Sequence, residues 1–194
     1  MQAKSSPKKS LFLDRDGVIN KEKHYLYRIE DFEFVDGIFA LCQTAVDNGY
    51  GLIVITNQAG IARGYYTEQQ FLELTEWMKQ EFARRNLPLT DLYYCPHHPR
   101  YGGEQYCQQC ECRKPGPGML LDAAQKHDLD LSASILVGDK GSDIAAGRAA
   151  GIGTTALVGT GHPVSAQDRQ TADLYSESLP ELKETLFPAT ITGG

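Results

Sequence analysis

The run Leu11-Phe12-Leu13-Asp14-Arg15-Asp16-Gly17 decides the fold: an unbroken apolar stretch stops at two carboxylates and a glycine. A strand that is apolar at every position is buried on both faces, which is the habit of a parallel sheet covered by helices. Working outward, further short apolar runs fall at 51–56, 92–95, 134–138 and 154–158, with a shorter candidate edge strand at 174–175. Segments of helical period lie between them. One spans 38–48 and is closed by Gly49; a second spans 68–86, with Thr67 as N-cap and Gln70 completing a capping box. Others are expected at 117–127, opened by Pro117, at 142–150, stopped by Gly151, and at 179–186. Alternating strands and helices predict an α/β, three-layer Rossmann-like fold, its mostly parallel sheet covered by helices on both faces. The polar motifs all follow strands, where such folds bind ligands. No linker or repeat divides the chain, so one domain over 1–194 is expected, with flexible ends that include the tail 188–194.

Composition narrows the function. With 41% hydrophobic and 23% charged residues, the chain is globular in character rather than disordered. A formal charge of -6 gives no general attraction for nucleic acid or an anionic membrane. An anionic substrate therefore needs a local cluster of cations. The apolar run after the N-terminal lysines is too short for a signal-peptide core, so a cytoplasmic protein is expected. Four of five cysteines (Cys95, Cys107, Cys110, Cys112) crowd into one stretch, which in a reducing compartment points to a metal before disulfides; Cys42 reads as core.

Asp14 and Asp16 are two residues apart in extended chain, so both address one ligand, and Gly17 lets the backbone turn sharply beside it. An ionised Asp14 can attack phosphorus without a base to activate it. Asp16 can then protonate the departing oxygen and later accept a proton from water. Attack of a carboxylate on a phosphate needs charge neutralised, hence a hard divalent cation. Three other strand ends fit that chemistry. Thr56-Asn57-Gln58 offers a hydroxyl and amides to phosphate oxygens, Arg113-Lys114 supplies cations, and Gly138-Asp139-Lys140-Gly141-Ser142-Asp143 sets two more carboxylates. Gly151-Ile152-Gly153-Thr154-Thr155-Ala156 fits a dinucleotide-binding pattern but follows a helix and leads into a strand, the reverse of what pyrophosphate binding requires.

Cys95-Pro96-His97 and Cys110-Glu111-Cys112, with 12 residues between them, supply three thiolates and an imidazole. That is a closed tetrahedral Zn²⁺ shell, and closed shells are structural. Cys107 could replace Cys110, and His98 could replace His97. The spacing matches no nucleic-acid finger, and no basic helix follows.

Asp14-x-Asp16-Gly17, Thr56, Lys114 and Gly138-Asp139-x-x-x-Asp143 together resemble the haloacid dehalogenase superfamily of phosphotransferases, over residues 11–143. The resemblance implies Asp14 as nucleophile, Asp16 as general acid/base, and Thr56 and Lys114 as ligands of the transferring phosphoryl group. It implies Mg²⁺ on the Asp14 carboxylate, the Asp16 backbone carbonyl and Asp139, with Asp143 either a ligand or a neighbour of one. The roughly 40 residues from Asp16 to Thr56 leave no room for an inserted cap. Loops at 20–31 and 60–64, with the metal-binding loop at 95–112, should wall the site instead. Capless relatives with such a loop act on small metabolites, which implies a small sugar bisphosphate as substrate, with histidinol phosphate as the alternative, and no macromolecular partner. Expected substrate contacts are Glu22, Lys23, His24, Tyr25, Asn57, Gln58, Ala59, Arg113 and Lys140. Arg63 either supports its loop or faces the substrate. A monomer is expected.

Overall fold

The computed structural model describes residues 8–189, so residues 1–7 and all but the first two residues of the tail 188–194, expected to be flexible, lie outside the described residues. Among the described residues six strands form one sheet: β1 (Lys9–Leu13), β2 (Tyr50–Asn57), β3 (Asp91–Cys95), β4 (Ile135–Gly138), β5 (Thr154–Val158) and β6 (Leu174–Ser176). The order is β3-β2-β1-β4-β5-β6 and every neighbouring pair is parallel. The chain steps from β1 outward to β3, then returns to the other side of β1 with β4. The carboxyl ends of β1 and β4 therefore flank the switch point, where the two helical layers part and leave a crevice.

Among the described residues there are eight α-helices, seven between strands and one after β6: α1 (Ile38–Asp47), α2 (Ala59–Ala62), α3 (Glu68–Ala83), α4 (Gly103–Tyr106), α5 (Gly118–His127), α6 (Gly141–Ala150), α7 (Ala166–Thr171) and α8 (Leu179–Leu186). The central strands are buried on both sides, as their continuous apolar character requires. Leu11, Leu13, Leu52 and Val54 join the core formed with Leu41 of α1, Phe82 of α3 and Leu182 of α8. Phe12, Ile53 and Ile55 point the other way, to Met119 and Leu120 of α5 and Ala146 of α6. Cys42 is core, as expected.

Differences from the sequence reading are local. Thr67 and Gln70 form the capping box of α3, yet the helix ends at Ala83 rather than 86. Leu87 N–H turns back to Phe82 O at 3.1 Å, with Asn86 at φ +59°, a left-handed C-terminal stop that asparagine tolerates. Pro117 is the N-cap of α5, one position before its first turn. The short helices α2, α4 and α7 carry too few residues for a periodic signal. Among the described residues no cap domain is inserted, and no helix is long and apolar enough to cross a membrane.

Candidate active site

A cleft of about 360 Å³ opens over the carboxyl ends of β1, β2 and β4. At its floor Lys114 is 4% exposed and its ammonium lies close to three oxygens, two of them carboxylate. Asp14 Oδ1 lies at 2.9 Å, Asp143 Oδ1 at 2.7 Å and Ile55 O at 3.0 Å. Burial pushes the Asp14 carboxyl well above the usual carboxylate range, against the pull of Lys114; Asp143, Asp139 and Asp16 push the same way. Burial lowers the Lys114 pKa, but Asp14 and Asp143 more than offset it and keep the ammonium charged.

The charges do not balance at this floor. Buried Asp14, Asp139 and Asp143 face a single lysine, and their carboxylate oxygens lie within 4.8 Å of one another. Asp139 Oδ1 has no hydrogen-bond partner among the described residues. Crowded carboxylates with a buried, unspent oxygen fit a hard divalent cation, which prefers oxygen ligands. The other oxygen, Oδ2, accepts from the His162 backbone N–H at 3.0 Å and sits 2.6 Å from its Nδ1. Gly17, at φ +91°, makes this packing possible: a Cβ there would lie 2.3 Å from Asp139 Oδ2.

Asp16 is held differently. Arg15, 1% exposed, donates from Nε and Nη2 to its carboxylate and from Nη2 to Leu26 O at 3.1 Å. Asn20 Nδ2 adds a bond at 3.1 Å and Gln58 Nε2 one at 2.9 Å. Burial pushes the Asp16 carboxyl up, but Arg15, Asn20 and Gln58 outweigh it and hold the pKa below the usual carboxylate range.

Asn57 and Gln58, expected to touch substrate, both line the cleft, and their amides are also bonded within the protein. Asn57 clamps the Lys114 backbone, donating to its C=O and accepting from its N–H, both at 3.0 Å. That pair fixes the lysine to the end of β2. Gln58 lines the cleft, but its backbone N–H donates to Cys95 O at 2.7 Å and its amide is bonded to Asp16, Thr56 and Tyr66. Thr56 is buried beneath it.

Glu22, His24, Tyr25, Ala59, Arg113 and Lys140 all line the cleft. Lys23 does not; it turns away and pairs with Glu33. Arg63 faces the cleft, its Nη2 3.2 Å from His98 Nε2 and its guanidinium over the Tyr101 ring. Sequence reasoning missed Tyr66, eight residues from its partner Gln58, and His162, which reaches Asp139 from a loop 23 residues away. Arg15 was passed over as the variable position of its motif.

Cys95, His97, Cys110 and Cys112 converge at the wall. Sγ–Sγ separations are 3.0 Å for Cys95–Cys112, 3.3 Å for Cys110–Cys112 and 3.5 Å for Cys95–Cys110. His97 Nδ1 is 3.4 Å from Cys112 Sγ, and its Nε2 meets the Gln108 amide at 2.6 Å. Three thiols and an imidazole so close, the other ring nitrogen engaged, fit a closed tetrahedral metal shell. His98 is committed to Arg63 and the Arg100 N–H, while Cys107 is exposed and outside the cluster. Arg113, directly after Cys112, donates from Nη1 to His97 O at 3.2 Å.

Known proteins agree with this geometry. Residues 111–182 match the HAD-hydrolase-like family. A D-glycero-beta-D-manno-heptose-1,7-bisphosphate 7-phosphatase of Photorhabdus laumondii is 48% identical over 91% of this chain and 94% of its own length. The enzyme of the same name from Escherichia coli K12 is 46% identical over 95% of each chain. A D,D-heptose 1,7-bisphosphate phosphatase from B. bronchiseptica, solved with magnesium and phosphate, superposes with a TM-score of 0.76 at 28% identity, covering 92% of this chain and 97% of that one. A HAD-like phosphatase from Mesorhizobium loti gives a TM-score of 0.80 at 29% identity, covering 96% of this chain and 90% of that one.

Proposed function

The chain belongs to the family of D-glycero-beta-D-manno-heptose-1,7-bisphosphate 7-phosphatases, and from that premise we propose that it hydrolyses the 7-phosphate of the β anomer to heptose 1-phosphate. The step belongs to the making of bacterial surface heptose, carried out by a cytoplasmic monomer. The buried Asp14–Lys114–Asp143 contact at the cleft floor is the observation that carries this reading.

In the first half-reaction an Asp14 oxygen forms a bond to phosphorus as the bond to the C7 oxygen breaks. Asp16 gives that oxygen its proton and the sugar leaves as an alcohol. In the second half a water attacks the phosphorus of aspartyl phosphate, its proton passes to Asp16, and phosphate departs from Asp14. An ionised Asp16 suits the second half. For the first it must carry a proton, which an approaching phosphate anion favours by raising its pKa. Lys114 and the Thr56 hydroxyl hold the phosphoryl oxygens.

Asp14, the Asp16 carbonyl and Asp139 would hold Mg²⁺, which supplies charge neutralisation for an anionic nucleophile meeting an anionic phosphate. Cys95, His97, Cys110 and Cys112 would hold a structural Zn²⁺, keeping Arg113 over the cleft and Lys114 beneath it. Arg113 and Lys140 would receive the second phosphate, with Glu22, His24 and Tyr25 against the sugar. The test is kcat/KM for the heptose bisphosphate against histidinol phosphate. A clear preference for the heptose is expected; a preference for histidinol phosphate overturns the assignment.

A further inference from the structure

Every bond of the Gln58 side chain is internal. Nε2 donates to Asp16 Oδ2 at 2.9 Å and to Thr56 Oγ1 at 2.8 Å, and Oε1 lies 2.5 Å from the Tyr66 hydroxyl. A carboxylate only accepts, so the amide nitrogen must face Asp16, and Tyr66 must then donate to Oε1. Tyr66 is 5% exposed. Its ring occupies the space that Gly60 leaves by having no side chain: a Cβ there would sit 2.3 Å from Cε1. Tyr27 stacks on the ring at 5.6 Å. Burial pushes the phenol pKa up, so the hydroxyl stays a donor throughout the physiological range.

Arg15 and Asn20 both bond Asp16 Oδ1, and Arg15 Nε also reaches Oδ2 at 3.2 Å, longer than the 2.9 Å bond from Gln58. Gln58 is the partner that links its Oδ2 to Thr56 and the phosphoryl site. An amide can rotate, and without an anchor at Oε1 it would leave a buried carbonyl unsatisfied and Asp16 free to swing toward Arg15. We propose that Tyr66 is a positioning residue: acting through Gln58, it fixes the Asp16 carboxyl where it can hand its proton to the departing oxygen. This rests on the assignment of Asp16 as general acid.

The consequence depends on the leaving group. As the P–O bond breaks, a sugar alkoxide needs the proton, whereas a nitrophenolate leaves as a stable anion without it. kcat/KM covers the steps through departure of that group, so it separates this role from a general loss of structure. The experiment compares wild type, Tyr66→Phe, Gly60→Ala and Asp16→Ala on the heptose bisphosphate and on p-nitrophenyl phosphate. Tyr66→Phe should lose about 30-fold on the sugar and less than about threefold on the aryl ester, a fraction of what general acid catalysis supplies. Gly60→Ala, which pushes the ring aside, should show the same selectivity, and Asp16→Ala a larger version of it. Equal losses on both substrates in Tyr66→Phe, with Asp16→Ala selective, overturn the role of Tyr66 alone. Equal losses in Asp16→Ala overturn the general-acid assignment, and the inference falls with it.

Discussion

The floor and the rim of the cleft are built on opposite principles. At the floor Asp14, Thr56, Lys114 and Asp143 are at most 5% exposed, stand at or just beyond strand ends or are clamped to one, and are closely tied to one another. At the rim Glu22, His24, Tyr25, Arg63 and Arg113 sit on loops, and Tyr25 is 42% exposed. His24 and Tyr25 hold φ of +40° and +59°, a left-handed pair that costs on the order of 1 kcal/mol or more per residue. Tyr25 keeps that conformation while its ring packs on Tyr65 with centroids 4.3 Å apart. A rigid floor suits chemistry common to every phosphate monoester; a looped, partly strained rim suits the choice of which sugar, and which of its two phosphates, reaches the floor.

Substitutions can break this division. Asp14→Asn removes the proposed nucleophile at the floor and should lower turnover at least about 10⁴-fold, with far-UV circular dichroism unchanged, because losing a covalent nucleophile removes most of the catalysis. Activity near wild type would mean that another group attacks phosphorus. The metal-binding loop joins the two regions, since it leads directly into Arg113 and Lys114. Zinc removal by a chelator, or Cys110→Ser, should lower kcat/KM by about a hundredfold with Mg²⁺ in excess, because misplaced charged groups forfeit orientation. Elemental analysis alongside the assay checks the cause; a zinc-free protein of full activity would detach the loop from the site. Arg113→Ala tests the rim alone: KM for the bisphosphate should rise about tenfold with kcat nearly kept, the pattern of lost uniform binding. The smallest effect lies outside both regions. Thr67→Ala deletes the cap of α3 and should cost about 1 kcal/mol of stability, read as a lower Tm with unchanged kinetics.

The two regions also differed in how far the sequence disclosed them. The floor was legible because its chemistry is local: a buried run that ends in Asp-Arg-Asp-Gly gives strand, turn and carboxylates together. Parallel pairing brings such ends side by side, so Thr56 and Asp139 could be placed from order alone. Sequence could not show where a polar side chain spends its bonds. Asn57 and Gln58 have the right chemistry at the right strand end, yet one clamps the Lys114 backbone and the other holds Asp16. Lys23 sits among cleft residues in sequence but turns to Glu33. His162 reaches Asp139 from a loop that only the folded chain brings near, and Tyr66 reaches back eight residues to Gln58 with no motif to mark it. The Cys95, His97, Cys110 and Cys112 cluster was legible from its spacing, His97 included, and His98 is turned to Arg63 instead.

The central claim is that the rim presents the C7 phosphate to Asp14 and leaves the anomeric phosphate in place. ³¹P NMR of β-heptose 1,7-bisphosphate, incubated with the protein and Mg²⁺, tests it most directly. The C7 phosphomonoester signal should disappear as inorganic phosphate grows, while the anomeric phosphate signal persists. Loss of the anomeric signal first, or no Mg²⁺-dependent release at all, would contradict the account.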